Sequence, residues 1–111
     1  MNILGWLPFG KVPEVTPTQL NTQKNEFQMI DVRTTAEFHA DHIDGATNLP
    51  ITHFSRKAVQ TLKLDPGQPV VAICLSAHRS IPAVRLLRDL GFEAYQLAGG
   101  MKAWWHHQKS G

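Results

Sequence analysis

The chain alternates between short apolar runs and segments with helical spacing of their hydrophobic residues. The most apolar run, Val70–Ile73, has no polar position on either side, as expected of a central parallel strand that helices cover on both faces. Weaker runs at residues 27–32, 46–49 and 94–97 predict further strands. Strands that alternate with helices along the chain indicate an α/β fold.

Helices are predicted between these strands from capping residues as well as from spacing. Thr16, Pro17 and Gln19 match a capping box with proline at the first helical position. Ser80 is the expected N-cap of a helix that ends before Gly91. The remaining helices are expected at residues 34–38, 55–64 and 101–106.

Composition narrows the class of protein. A length of 111 residues is enough for one hydrophobic core, and 42% hydrophobic with 18% charged residues is ordinary for a globular domain. The formal net charge of +2 is too small to indicate a nucleic-acid partner. We therefore expect one globular domain, at residues 15–108, and no binding to nucleic acid.

Residues 1–14 form an apolar N-terminal arm. Gly5 and Pro8 interrupt the apolar run, and no basic segment precedes it, so neither a signal peptide nor a membrane span is expected. Two interpretations of Trp6, Leu7 and Phe9 stay open. Either they pack on the domain itself, or they form a contact through which the chain makes an oligomer or binds a partner.

Cys74 is the only cysteine of the chain. One cysteine forms no intrachain disulfide, so a reducing compartment is expected, with the cytoplasm as the default location. Cys74 follows the most apolar strand, at the edge of an open α/β sheet where ligands bind, and a loop connects it to a helix N-terminus. That terminus, with His78 and Arg79 nearby, is expected to lower the thiol pKa and favour the nucleophilic thiolate. The alternative is a buried structural cysteine.

Several motifs, in order along residues 15–105, resemble the rhodanese family. The resemblance is specific because it rests on separate motifs rather than on the active-loop pattern alone. The motifs are Asp31-Val32-Arg33, Glu37-Phe38, His42-Ile43-Asp44-Gly45-Ala46, Asn48-Leu49-Pro50, Cys74-x4-Arg79-Ser80, Gly91-Phe92, Leu97-Ala98-Gly99-Gly100 and Trp104.

The resemblance implies a fold, an activity and a site. The fold is a five-stranded parallel sheet flanked by helices on both faces. The activity is sulfur transfer, in which Cys74 takes a sulfane sulfur from thiosulfate or a persulfide donor and passes it to cyanide, a thiol or a protein acceptor. No cofactor or metal is needed. The loop that would cradle the sulfur comprises Leu75, Ser76, Ala77, His78, Arg79 and Ser80.

The supporting residues admit more than one role. Arg79 either contacts the substrate or pairs with an acid of the framework. His78 either assists an anionic donor or faces solvent. Asp31 and Arg33 either border the pocket or, as we favour, form an ion pair or a capping contact that orders the loop. Glu37 is expected in the same network as that pair.

Ala77 departs from the family pattern, which commonly has glycine at this fourth loop position. If the backbone there needs a positive φ, alanine carries a strain cost. Two rival functions are compatible with parts of this sequence. A cysteine-dependent phosphatase has five residues between its Cys and Arg, whereas Cys74 and Arg79 are separated by four. A non-enzymatic rhodanese-fold module, for binding or redox sensing, is the second rival.

Overall fold

The computed structural model describes residues 12–110. The predictions made above for residues 1–11 of the arm lie outside this range. The described chain contains five strands, all of them short. They are β1 Glu14–Val15, β2 Gln28–Asp31, β3 Thr47–Asn48, β4 Val70–Ile73 and β5 Ala94–Leu97. The two predicted strands at residues 70–73 and 94–97 are confirmed with the same bounds.

The five strands form one parallel sheet in the order β1-β5-β4-β2-β3. β4 is the middle strand, and all four of its residues are buried. Val70 and Ala72 point into one core cluster, while Val71 and Ile73 point into the other. This alternation places apolar side chains on both faces of β4, as the sequence predicts for a central strand.

Five α-helices accompany the sheet within residues 12–110. Their bounds are α1 Pro17–Thr22, α2 Thr35–Ala40, α3 Arg56–Thr61, α4 Ser80–Asp89 and α5 Gly100–Ser110. Short 3-10 helices lie at residues 24–26 and 51–53. α3 and α4 bury side chains in one core cluster, whereas α1 and α5 bury side chains in the cluster on the opposite face. The predicted α/β architecture, with helices on both faces of a five-stranded parallel sheet, is confirmed.

Local capping signals account for two helix starts. Thr16 caps α1 and Thr34 caps α2, each through a capping box in which the side chains of Gln19 and Glu37 reach back to the cap backbone. Each box satisfies N–H groups that have no partner within the helix. The prediction for Ser80 is wrong. Arg79 holds the N-cap position of α4, and Ser80 is the first helical residue.

Candidate active site

Cys74 directly follows β4 at the carboxyl edge of the sheet. It carries a free thiol and is buried, with an exposed fraction of 1%. The next residues form a loop, which we call the Cys74 loop (residues 74–79), and this loop leads into α4. Because β4 lies between β5 and β2, side chains from both neighbouring strands and their following segments surround the loop.

The Cys74 sulfur contacts a buried hydroxyl. Ser80 Oγ lies 3.4 Å from Cys74 Sγ and donates a hydrogen bond to Gln96 Oε1 at 2.6 Å. Ser80 is fully buried. Its hydroxyl contacts the Cys74 sulfur and the Gln96 amide, so its side chain belongs to the surroundings of Cys74.

The Arg79 side chain pairs with Glu37 of α2. Its Nη1 and Nη2 atoms donate to the two oxygens of Glu37, at 2.7 and 2.9 Å. The pKa of Glu37 is lowered from 4.5 to about 2, first because it accepts these hydrogen bonds. The pKa of Arg79 is raised, first by the same hydrogen bonds and also by negative charge at Cys74 and Asp31.

Asp31 and Arg33 form a buried ion pair at the end of β2. Arg33 Nη2 lies 2.7 Å from Asp31 Oδ2, and the two side chains are 2% and 0% exposed. Arg33 Nη2 also donates to the backbone oxygen of Asp41 at 2.7 Å. The pair thus ties the strand end to the segment after α2. Glu37 does not bond to this pair; its partners are Thr34 and Arg79.

The rest of the Cys74 loop is partly or wholly exposed. His78 faces solvent, and its Nδ1 lies 3.3 Å from the Ser76 hydroxyl. Leu75 packs against the core cluster that contains α5, and Ala77 packs against the cluster on the other face. Ala77 has a φ of 73°, in the left-handed region that glycine adopts without strain. The alanine that departs from the family pattern therefore occupies a position whose backbone conformation favours glycine.

The backbone at the start of α5 forms hydrogen bonds with the Cys74 loop. Met101 N donates to Cys74 O at 2.8 Å, and Lys102 N donates to Leu75 O at 3.1 Å. A Cβ atom on Gly100 would lie 2.4 Å from Cys74 O, closer than real Cβ contacts. Glycine at this position is thus required by the close approach of two backbones, which also satisfies loop carbonyl groups.

Two residues of the site were missed in the sequence. Gln96 lies on β5, and its Nε2 donates to Glu14 Oε2 at 2.9 Å. Its signal in the sequence is weak, since a single glutamine in a short strand usually faces solvent. Asn48, noted only as part of a motif, donates to the backbone oxygens of Asp31 and Arg33, both at 3.0 Å. It braces the strand end that carries the buried ion pair.

Within residues 12–110 no group of three His, Cys, Asp or Glu side chains is arranged to hold a metal ion. In the same part of the chain, no helix is both long and apolar enough to cross a bilayer.

Known proteins share this sequence and architecture. Thiosulfate sulfurtransferase GlpE of Shewanella oneidensis is 34% identical over 87 residues, which cover 75% of this chain and 80% of that protein. The HTH-type transcriptional regulator Rv0324 of Mycobacterium tuberculosis is 34% identical over 84 residues, or 74% of this chain, which spans only 36% of that regulator. The human single-domain sulfurtransferase TSTD1 superposes with a TM-score of 0.71 at 26% identity, covering 86% of this chain and 97% of that one.

The match to a family model extends over nearly all of the described residues. The model of the rhodanese-like domain matches residues 16–107, from the cap of α1 to the last turns of α5. The matched range includes the Cys74 loop, both ion pairs and the glycine that closes the loop. This chain therefore belongs to the rhodanese family.

Proposed function

We propose that this protein is a sulfurtransferase that carries sulfane sulfur as a persulfide on Cys74. The observation that carries the proposal is the position of the only thiol of the chain. Cys74 directly follows the central strand, begins the Cys74 loop and lies 3.4 Å from the buried Ser80 hydroxyl. The names of GlpE and TSTD1 support the same reaction class.

The proposed reaction has two steps. In the first, the Cys74 thiolate attacks the outer sulfur of thiosulfate; a new S–S bond forms, the old one breaks, and sulfite leaves with the bonding electron pair. In the second, cyanide or a thiolate attacks the outer sulfur of the persulfide, and the Cys74 thiolate leaves. A persulfide donor enters by the same first step. Thiosulfate as donor and the identity of the acceptor belong to this proposal.

The residues around Cys74 have separate proposed roles. The loop backbone of Leu75, Ser76 and Ala77 is proposed to cradle the sulfur and to stabilise the negative charge of the thiolate and persulfide. Arg79 is proposed to influence the sulfur through its charge rather than by direct contact, because its guanidinium is bound to Glu37. Asp31 and Arg33 hold the edge of the sheet. The reaction as written uses no metal or organic cofactor, and the proposed compartment is the reducing cytoplasm.

Mass spectrometry of the intact protein tests this function. After incubation with thiosulfate, we expect the mass to rise by one sulfur atom and to return on addition of cyanide, with release of thiocyanate. Cys74→Ser should abolish both the adduct and the thiocyanate. Ser76→Ala, a loop variant that keeps the thiol, is the matched control and should still load.

The same experiment separates the rival role. A rhodanese-fold binding or redox-sensing module would leave the thiosulfate-treated mass unchanged while keeping a free, alkylatable Cys74. The likeness to part of the regulator Rv0324 makes that comparison worthwhile. Thiocyanate formation that persists in Cys74→Ser would contradict the covalent mechanism.

A further inference from the structure

A chain of hydrogen bonds connects the Cys74 sulfur to a carboxylate on the edge strand. Ser80 Oγ is 3.4 Å from Cys74 Sγ and 2.6 Å from Gln96 Oε1, and Gln96 Nε2 is 2.9 Å from Glu14 Oε2. Ser80 is 0% exposed and Gln96 5%. We call Ser80, Gln96 and Glu14 the serine relay.

Glu14 determines which way the Gln96 amide points. β1 and β5 pair in parallel with Glu14 opposite Gln96, so the two side chains are neighbours on the sheet. An ionised carboxylate only accepts hydrogen bonds, and therefore the Gln96 group that faces Glu14 is its NH2. The amide oxygen of Gln96 must then face Ser80.

The amide orientation in turn determines where the Ser80 hydrogen lies. A serine hydroxyl has a single hydrogen, and at 2.6 Å it is donated to Gln96 Oε1, which has no hydrogen of its own. Ser80 consequently presents an oxygen lone pair to Cys74. A lone pair accepts a hydrogen bond from a thiol S–H group, but it repels a thiolate.

We propose that the serine relay favours the thiol form of Cys74 in the resting protein and that Gln96 is the positioning residue responsible. To stabilise the thiolate, the Ser80 hydroxyl must release Gln96 and turn its hydrogen toward the sulfur. This inference deepens the proposed function, on which it rests for the role of Cys74 as sulfur carrier.

Other charges surround the Cys74 loop and must stay constant in a test. Replacing Gln96 with an uncharged residue alters none of them. They are His78 and Arg79 of the loop, Asp31 and Arg33 at the end of β2, Glu37 of α2, Glu14 of β1 and Lys102 of α5.

The test is the pH profile of iodoacetamide alkylation, measured on the full chain. Because Cys74 is the only cysteine, the alkylation rate reports on it alone. Gln96→Met removes the acceptor, so the Ser80 hydrogen becomes free to donate to the sulfur. We expect the midpoint of the profile to fall by about one pH unit relative to wild type.

Gln28→Met is the matched control. Gln28 also lies on a strand and uses its amide in hydrogen bonds, donating to Asp65 O at 2.8 Å and Gln68 O at 2.9 Å. Its side-chain hydrogen bonds run to Asp65 and Gln68 rather than to the relay, so its replacement should leave the alkylation midpoint unchanged. A general loss of packing or stability would affect both variants.

Glu14→Lys provides a second variant, at an exposed position of β1. A lysine only donates hydrogen bonds, so the Gln96 amide should turn over and release the Ser80 hydrogen. The midpoint should again fall. Any direct effect of the new charge persists in the Ser80→Ala background and is subtracted by comparing the two backgrounds.

The outcomes are distinct. The inference is supported if the midpoint falls in both Gln96→Met and Glu14→Lys. The part of the fall that is due to the relay should then disappear in the Ser80→Ala background. An unchanged or raised midpoint in Gln96→Met overturns it. Alkylation does not depend on sulfur transfer, so failure of persulfide loading would reject the proposed function without deciding the role of the relay.

Discussion

Arg79 and Glu37 form a two-pronged ion pair between the Cys74 loop and α2, with Nη1–Oε1 and Nη2–Oε2 distances of 2.7 and 2.9 Å. The two side chains are 34% and 30% exposed. Glu37 also accepts from the Thr34 backbone and thereby completes the cap of α2. One carboxylate therefore anchors both the loop and the start of a helix.

This pair predicts a pH-dependent component of stability. The pKa of Glu37 is lowered from 4.5 to about 2, so its contribution is fully present above pH 4.5 and is lost as the pH falls toward about 2. Glu37→Gln keeps an acceptor for the cap but removes the charge. Urea unfolding should show a deficit for this variant of about 1 kcal/mol at pH 7, limited by solvent screening, that disappears over this range.

Glu26→Gln is the control for the charge change, because Glu26 is an exposed glutamate outside the pair. Its unfolding free energy should follow that of the wild type across the same pH range. A deficit for Glu37→Gln that stays constant down to pH 2 would show that the carboxylate charge does not contribute.

The buried pair of Asp31 and Arg33 predicts a much larger effect. Asp31→Asn leaves the Arg33 guanidinium buried without its counter-charge, and the free energy of unfolding should fall by about 3 to 5 kcal/mol. Asp44→Asn, which changes an exposed aspartate, should cost little. Chemical denaturation of the two variants makes the comparison, and similar values for both would mean that the buried pair contributes no more than a surface charge.

The positive φ of Ala77 predicts that glycine at this position would increase stability and activity. Its φ of 73° costs an alanine about 1 kcal/mol that glycine does not incur. Ala77→Gly should therefore raise the melting temperature and the rate of persulfide loading. Lys63 has a φ of 52° and lies outside the Cys74 loop, so Lys63→Gly should raise the melting temperature without changing loading. If Ala77→Gly lowers both quantities, this loop is adapted to alanine.

Gly100 predicts a loss at the opposite side of the loop. In Gly100→Ala the new methyl group overlaps Cys74 O and the Leu75 carbonyl, at 2.4 and 2.6 Å. Gly91 also has a positive φ, of 96°, but a methyl group there meets nothing within 4 Å. Gly100→Ala should thus cost about 1 to 3 kcal/mol more than Gly91→Ala and reduce persulfide loading. Equal losses in stability and unchanged loading would show that the loop yields freely.

Local signals in the sequence identified the elements of the fold. The Thr16 capping box, Pro17 and the apolar run Val70–Ile73 each act through residues within a few positions of one another, and each was found where predicted. The strand predicted at residues 46–49 is longer than the observed one, in which only Thr47 and Asn48 pair in the sheet. Pairing depends on the neighbouring strand β2, which is distant in sequence.

Long-range contacts decided the roles of the site residues. Ser80 was expected to cap α4 because cap preferences are local, whereas its partners are the Cys74 thiol and Gln96, which lies 16 positions away. The sequence leaves two orientations of the Arg79 side chain open. The ion pair with Glu37, 42 positions earlier, fixes one of them. Such choices follow from which side chains the packed sheet and helices bring together.

The hydrophobic pattern and the capping residues are enough to predict the α/β fold and to single out Cys74 as a candidate nucleophile, because these signals lie in neighbouring residues. The positive φ of Ala77, the close approach of Gly100 to the loop and the contact between Gln96 and Ser80 are visible only in the folded chain. Each of these is a contact or a backbone angle imposed by elements far apart in the chain, and no local preference specifies it.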